Sequence, residues 1–183
     1  MDNGASSYRR FLDGDESAFD EIMKELFHSL VFFIDRYVQD FHTAEDIAID
    51  TLADLGIHKA RYNFKVTLKT YLFMVGRSRA LNYIKHRKVI DFVELTEAES
   101  NSDDLDELEK TVLNNERKRV VNAALLKLPK DMRIVIHLIY FEDLTYEEAA
   151  RVMKKNKKQV DNLLYRAKKE LRTILGEEGE LLL

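Results

Sequence analysis

The stretch "LTYEEAARVMKKNKKQVDNLLYRAKKELR", residues 144–172, carries two helical patterns separated by a short turn. Thr145 is followed three residues later by Glu148, the spacing in which two side chains cap each other's backbone N–H groups. Asn156, a favoured N-terminal cap, precedes the second pattern. The small side chains at 149–150 permit a close crossing of the two helices. The stretch therefore predicts a helix-turn-helix.

The second helix of this motif is amphipathic. On a wheel of about 100° per residue with Val160 at zero, the apolar side chains fall within about 60° of it, namely Leu163, Leu164, Ala167, Leu171 and Ile174. The opposite side is polar, so one face is predicted to be core and the other an array of hydrogen-bond donors. Such a helix fits a DNA major groove. From this segment alone, a lysine-coated helix that faces only solvent remains an alternative.

The polar face supplies the candidate DNA contacts. Residues at the start of such a helix reach base edges, and basic residues further along neutralise phosphates. An Asp there can accept a hydrogen bond from a cytosine amine, and an Asn can pair with adenine. The candidates are Asn156, Lys157, Lys158, Asp161, Asn162, Tyr165, Arg166, Lys168, Lys169 and Arg172.

Charge is segregated along the chain, although the formal net charge of the 183 residues is only -4. Residues 1–54 hold 13 acids and 4 bases, whereas residues 55–90 hold 9 bases and no acid. Residues 91–110 hold 9 acids and one base, and residues 151–173 hold 9 bases and 2 acids. Solvated helix faces normally mix the two signs. Two basic blocks separated by an acidic block therefore indicate two polyanion-binding surfaces on a mildly acidic body.

Composition favours an all-α protein. The chain has 6 Gly and 1 Pro, too few turn residues for many short strands. With 45% hydrophobic residues it can bury a core. The absence of Cys excludes a disulfide framework and thiolate metal sites. No apolar run is long enough to cross a bilayer, so the sequence predicts a cytoplasmic protein without membrane insertion.

Helical periodicity divides the chain into two small helical domains joined by an acidic linker. In the first half, helices are predicted at 15–38, at 43–60 with Thr43 as N-cap, and at 68–88. The last of these offers for burial Leu68, Tyr71, Leu72, Val75, Leu81 and Ile84. The pattern dissolves in the acid-rich segment and resumes after it. The predicted division is a first domain at 1–90, a linker at 91–115, a second domain at 116–176 and a tail at 177–183.

Segments in both halves resemble those of one protein family. In the second half they are "LPKDMRIVIHLIYFEDLTYEEAARVM" and "VDNLLYRAKKELR"; in the first half they are "FDEIMKELFHSLVFFIDRYVQDFHTAEDIAIDTL" and "TYLFMVGRSRALNYIKHRK". The chain resembles the sigma factors of bacterial RNA polymerase, specifically the small extracytoplasmic-function (ECF) group. The second half resembles sigma region 4, which reads the minus-thirty-five promoter element. The first half resembles region 2, which docks on polymerase and melts and reads the minus-ten element.

The resemblance implies a transcription initiation factor with no catalytic residue, metal or cofactor of its own. Its implied partners are promoter DNA, the polymerase core through the beta-prime clamp and the beta flap, and an anti-sigma protein, which often holds members of this group inactive. The implied polymerase-binding residues are Glu45, Asp46, Ile49 and Asp50, with Asp54 also available on that helix. In the family, the loop before the basic helix holds a flipped minus-ten base. The implied minus-ten contacts are Arg61, Asn63, Lys65, Tyr71, Arg77, Ser78, Arg79 and Asn82.

Two other classes of protein share some of these features. A helix-turn-helix regulator that is not a polymerase subunit would explain the second half equally well, but it leaves the acid-free block at 55–90 unexplained. An enzyme with a carboxylate-bridged di-metal site would use the Glu-x-x-His spacing of Glu25 and His28. That site needs a second copy of the motif on another helix, and the sequence has none.

Overall fold

The computed structural model describes residues 4–93 and 116–176. The regular structure in these ranges is helical, which confirms the predicted all-α class. By its internal contacts the chain separates into two compact units, Met1–Ser102 and Asp103–Leu183. Residues 94–115 of the predicted linker and the predicted tail at 177–183 lie outside the described residues.

The described part of the N-terminal unit contains four α-helices and one 3-10 turn. The helices are α1 (Ala5–Leu12), α2 (Ser17–Val38), α3 (Phe41–Ile57) and α4 (Leu68–Val93), and the turn is Lys59–Arg61. The described part of the C-terminal unit contains α5 (Glu116–Leu126), α6 (Lys130–Ile136), α7 (Tyr146–Met153) and α8 (Lys157–Leu175), with a π-helical turn at His137–Phe141.

Helix α2 is the centre of the N-terminal unit, and α1, α3 and α4 pack against it. Phe33 of α2 stacks on Phe73 of α4 with ring centroids 4.6 Å apart and planes 8° apart, and both rings are fully buried. Close approach of the two helices depends on Gly76. A Cβ atom there would lie 3.0 Å from Leu30 Cδ1 and 3.2 Å from Ile34 Cδ1. The absent side chain at Gly76 therefore lets these two helices approach closely.

Some predicted details of this unit are wrong. The N-cap of α3 is Asp40, whose carboxylate accepts a 2.7 Å hydrogen bond from the backbone N–H of Thr43. A carboxylate at this position also benefits from the positive end of the helix dipole. Leu81, predicted to be buried, is 36% exposed, because the buried face of α4 is the one that carries Phe73 and Ala80. The helix predicted to end at 88 continues to Val93, past the predicted start of the linker.

Helix α1 was not predicted from its polar sequence. It is anchored by Tyr8, which is fully buried and whose hydroxyl lies 3.2 Å from the carbonyl oxygen of Leu55 and 3.0 Å from that of Lys59. Burial raises the pKa of Tyr8 to about 12, and the nearby Tyr71 and Tyr62 hydroxyls add to the shift. The phenol therefore stays protonated and able to donate throughout the physiological pH range. It ties α1 to the end of α3 and to the turn that follows.

Helix α8 is the centre of the C-terminal unit, with contacts to α5, α6 and α7. Its buried side chains are Val160, Leu164, Ala167 and Leu171. This is the apolar face predicted by the wheel, although Leu163 and Ile174 at its edges remain partly exposed. The predicted turn between two capped helices is confirmed, so the second helix is fixed at both its start and its inner face.

Side-chain caps and a left-handed residue set the turn before α8. Thr145 with Glu148 and Asn156 with Gln159 each form a reciprocal capping box. Between them, Lys154 has φ 53 and ψ 45, and the N–H of Lys155 donates to the carbonyl of Ala150 at 2.9 Å, as in a Schellman ending. A side chain is disfavoured in this backbone conformation, whereas glycine adopts it readily.

We predict that Lys154→Gly raises the free energy of unfolding by up to about 1 kcal/mol, because it removes the left-handed strain at a position where glycine is preferred. Urea unfolding followed by circular dichroism measures the change. Lys127→Gly, at an exposed position without positive φ, is the matched control and should not stabilise the chain. A loss of stability in Lys154→Gly would contradict the prediction.

Within the two described ranges, none of the helices is both long and apolar enough to cross a membrane.

Candidate nucleic-acid interface

The outer face of α8 is polar, cationic and exposed along most of its length. Lys158, Asp161 and Asn162 near its start are exposed, and so are Tyr165, Arg166, Lys169 and Arg172 further along. The Tyr165 side chain is 71% exposed, an unusual position for an aromatic ring in a helix whose other face is core. Because the buried face holds the helix against the unit, this outer face is available to a partner as one surface.

Three of the predicted contacts on α8 are also engaged within the unit. The Asn156 Oδ1 atom accepts the N–H of Gln159 at 2.8 Å in the capping box. Lys157 Nζ lies 2.5 Å from Glu147 Oε1, and this hydrogen bond and its charge raise the pKa of Lys157. Lys168 Nζ lies 5.1 Å from the centre of the Tyr140 ring. Asn156, Lys157 and Lys168 therefore each have a contact within the unit in addition to their place on the polar face.

The predicted minus-ten contacts of the N-terminal unit lie on the segment after α3 and on α4. The side chains of Arg61, Asn63 and Lys65 in the segment are exposed. Asn63 Oδ1 accepts the backbone N–H of Lys65 at 3.1 Å, which forms a local turn. The exposed contacts on α4 are Ser78 and Asn82, and the partly exposed ones are Tyr71, Arg77 and Arg79.

A cluster of aromatic rings packs within and against the segment that follows α3. Tyr62 is buried, and its ring centre lies 5.2 Å from that of Tyr71, 4.6 Å from that of Phe64 and 5.4 Å from that of Tyr8. Phe64 has φ 60, a strained conformation for a bulky side chain that persists only where the surroundings hold it. The guanidinium of Arg9 lies 5.1 Å from the centre of the Phe64 ring. The cluster thus holds the segment in one shape.

Two of the predicted minus-ten contacts converge on the carboxylate of Asp54. Arg61 Nη1 donates to both carboxylate oxygens, at 2.6 and 2.7 Å. His58 Nδ1 lies 2.9 Å from Oδ1, and Arg79 Nη2 lies 3.7 Å from Oδ2. Burial alone would raise the pKa of Asp54. The hydrogen bond from Arg61 and the positive charges around it instead hold that pKa below its usual value.

The predicted polymerase-binding residues lie on the outer face of α3. Asp46, Ile49 and Asp50 are exposed, and Ile49 retains 49% of its accessible surface. Glu45 is half-buried at the edge of this face. Ile57, 74% exposed at the end of the helix, extends the face with a second large apolar side chain. Helix α3 contains no Lys or Arg, so the face combines negative charge with apolar surface.

The geometry corrects the sequence interpretation at Asp54. From the sequence, Asp54 was an additional candidate for polymerase binding on the acidic face of α3. Its side chain is only 16% exposed and is turned toward Arg61. Sequence reasoning also missed Tyr8, Tyr62 and Phe64. The aromatic residues at 62 and 64 were a signal that this segment is anchored. Nothing in the polar sequence around Tyr8 indicated its role, because its partners lie 47 and 51 residues away.

In the part of the chain that the structure describes, no three His, Asp or Glu side chains are grouped so that they could hold a metal ion. Glu25 and His28, which share the spacing of a di-metal motif, are both exposed on α2.

Comparison with known proteins finds RNA polymerase sigma factors that are similar to this chain over most of its length. The family model described as "Sigma-70, region 4" matches residues 118–171, which include the helix-turn-helix. The RNA polymerase sigma-H factor of Pseudomonas aeruginosa is 27% identical over 168 residues, covering 86% of this chain and 86% of that protein. The ECF RNA polymerase sigma factor SigM of Bacillus subtilis is 26% identical over 162 residues, covering 85% of this chain and 93% of that protein.

Solved structures share the fold. The sigma factor RpoE of Bartonella quintana, solved with the anti-sigma factor NepR, has a TM-score of 0.64 and 22% identity, covering 86% of this chain and 96% of that one. CnrH, solved with the cytosolic domain of CnrY, has a TM-score of 0.65 and 17% identity, covering 96% of this chain and 97% of that one. The family model matches the helix-turn-helix and the relatives match along both units, so the chain is similar over most of its length to RNA polymerase sigma factors, among them members of the extracytoplasmic-function group.

Proposed function

We propose that this chain binds the RNA polymerase core and directs it to promoters through two DNA-binding surfaces. The outer face of α8 reads duplex DNA at the minus-thirty-five element. The segment at 58–67, with the adjoining surface of α4, captures single-stranded DNA at the minus-ten element. The acidic and apolar outer face of α3 binds the beta-prime clamp, and the C-terminal unit binds the beta flap. The chain contributes binding and positioning, and bond formation belongs to the polymerase.

The observation that carries this proposal is the separation of faces on α8. Its inner side chains are buried and its start is capped, so the exposed polar side chains are presented on a rigid support. Lys and Arg side chains on such a face neutralise phosphates, and Asp161 and Asn162 near its start have the hydrogen-bonding groups that read base edges. The second surface, formed by the segment at 58–67 and α4, has aromatic rings beside cationic side chains, a combination that binds unstacked bases.

Transcription with purified polymerase core tests the proposal directly. Core alone and core with the full chain are given a library of promoter fragments, and the transcripts are sequenced. A sigma factor yields transcripts that begin at a fixed distance from a shared pair of sequence elements. Transcription no greater than that of core alone, on every fragment, would contradict the proposed function.

A regulator that is not a polymerase subunit is the competing function. It would bind DNA through the same helix-turn-helix but would not need to bind the core. Titration of the core with the chain in the absence of DNA separates the two functions. Saturation at one chain per core is expected of a sigma factor, whereas a regulator gives no stoichiometric binding.

We predict that Arg77→Ala reduces formation of the open promoter complex while core binding is unchanged. The partly exposed Arg77 lies on the part of α4 that is proposed to hold melted DNA. Stacking and cation contacts to single-stranded bases contribute about 1–3 kcal/mol each, so a loss of about tenfold in open complexes is expected. Permanganate footprinting of melted thymines measures it, and native gels measure core binding. Equal losses in both assays would contradict the assignment.

Regulation and location follow from the same proposal. Relatives with this fold have been solved with an anti-sigma factor or with the cytosolic domain of a partner, and we propose that this chain is also held by an anti-sigma protein. Its place of action is the cytoplasm, where the polymerase and the promoters are.

A further inference from the structure

Asp54 places a negative charge within the proposed DNA-binding surface of the N-terminal unit, where it would repel the phosphates of DNA. It is at the end of α3, and its neighbours are cationic side chains from the following segment and from α4. Its closest partner, Arg61, is itself a proposed DNA contact and is bound through both carboxylate oxygens at 2.6 and 2.7 Å. Because a single guanidinium nitrogen, Nη1, donates to both oxygens, Asp54 offsets part of the Arg61 charge, and a phosphate that is to bind this nitrogen must displace the carboxylate.

The second cation near Asp54 is held differently. Arg79 Nη2 is 3.7 Å from Asp54 Oδ2, which is beyond hydrogen-bonding distance. Arg79 Nε is buried and has no hydrogen-bond partner within the described residues. Charge therefore draws Arg79 toward Asp54, while the Nε atom of Arg79 stays without a hydrogen bond among the described residues. The negative charge of Asp54 reduces the attraction of both guanidinium groups for an incoming phosphate.

The scaffold around Asp54 does not depend on this ion pair alone. The Tyr8 hydroxyl bonds the carbonyls of Leu55 and Lys59, and the Tyr62 hydroxyl donates to the carbonyl of Val66 at 2.7 Å. The segment is thus anchored at both ends by buried tyrosines. Because the Asp54 carboxylate is not needed as the main anchor, its chief effect is on the charge that the segment presents to DNA.

We propose that Asp54 is a specificity-determining residue that masks Arg61 in the free chain and so suppresses sequence-independent binding of single-stranded DNA. A strand whose sequence places a preferred base on the aromatic cluster gains enough to displace the carboxylate, whereas a strand of unrelated sequence such as oligothymidylate, held mainly through its phosphates, does not. The inference rests on the proposed function and adds to it the control of one of its contacts.

Binding of fluorescent dT20 to the full chain, measured by anisotropy over a range of salt concentrations, tests the masking. Asp54→Asn keeps the shape of the side chain and removes its charge. It should tighten binding about five- to tenfold at about 50 mM salt and steepen the salt dependence by about 0.7, the value for one additional phosphate contact on a single strand. Glu25→Gln removes the same charge from an exposed position on α2 and is the matched control, with a change of less than about twofold.

A double-mutant cycle that combines Asp54→Asn with Arg61→Ala tests whether Arg61 is the group that becomes free to bind DNA when the Asp54 charge is removed. In the chain with Asp54, Arg61→Ala should change dT20 binding by less than about twofold, because Arg61 is already masked. In Asp54→Asn, the additional Arg61→Ala should abolish the gain. A purely structural role for Asp54 predicts the opposite sign, since Asp54→Asn would then loosen the segment and weaken binding. Circular dichroism verifies that each variant is folded.

Each other outcome overturns the inference. Weaker or unchanged binding in Asp54→Asn, an equal gain in Glu25→Gln, or a gain that survives Arg61→Ala would each do so. Failure of the proposed function is recognised separately with Arg77→Ala. If Arg77→Ala weakens dT20 binding but Asp54→Asn does not tighten it, only the masking is wrong. If Arg77→Ala also has no effect, the single-strand surface itself is wrong.

Discussion

Replacing Phe73 by alanine is expected to lower the free energy of unfolding of the N-terminal unit by about 3–5 kcal/mol. The ring is fully buried and stacks on Phe33 at 4.6 Å, at the contact between α2 and α4. Its loss removes buried apolar surface and leaves a cavity between two helices that cannot close up, because Gly76 already sets their approach near its limit. Most of the stability of a small helical unit would be lost with this one side chain.

Hydrogen–deuterium exchange resolves this effect by region. Peptides from α2 and α4 should exchange faster by two orders of magnitude or more, and peptides from α6 and α8 in the same sample provide the reference. Ile57→Ala is the matched control, because that side chain is 74% exposed and its loss should change stability by less than about 0.5 kcal/mol. If Phe73→Ala and Ile57→Ala were equally stable, the stacked contact would not be the core of the unit.

Replacing Arg166, Lys169 and Arg172 together by alanine is expected to abolish promoter-directed transcription. The three side chains are exposed on the outer face of α8 and are proposed to neutralise phosphates of duplex DNA. Each lost contact lowers the slope of log K against log salt by about 0.9, so the triple variant should lose about 2.7 in slope. The buried side chains of α8 are unchanged, so the fold of the unit should be retained.

Fluorescence anisotropy with duplex promoter DNA at several salt concentrations measures the slope, and transcription with purified core measures the outcome. Lys127→Ala removes one exposed positive charge from the same unit, outside the helix-turn-helix, and should leave the slope unchanged within about 0.3. A triple variant whose slope equals that of the unmodified chain would place this face of α8 away from DNA.

The helix-turn-helix could be predicted almost completely from its sequence. The capping pair Thr145 with Glu148 and the N-cap Asn156 are local signals, because each acts within one helical turn, and the structure adds Gln159 as the partner of Asn156. The apolar spacing from Val160 onward likewise identified the buried face of α8. The prediction failed at the start of α3, where Asp40 and Thr43 both have suitable side chains and only the backbone geometry selects Asp40.

For the candidate site of the N-terminal unit, the sequence predicted which residues take part but not the contacts that they make with one another. The resemblance to sigma region 2 implied Arg61 and Arg79 as contacts, and both lie within the acid-free block at 55–90. That block begins one residue after Asp54, so a count of charges could not show that this carboxylate binds Arg61. The ion pair joins residues on two different elements, and its geometry exists only when the segment after α3 is folded back on the helix.

The sequence by itself determined the all-α class, the sigma-factor resemblance and the cationic outer face of α8, because each of these depends on residue types repeated at short and regular spacing. Only the tertiary structure decided that Tyr8 anchors the segment after α3, that Phe64 is held in a strained conformation and that Asp54 faces Arg61. Those features depend on long-range packing, which brings together residues up to 51 positions apart and then sets which of their charges remain available to a partner.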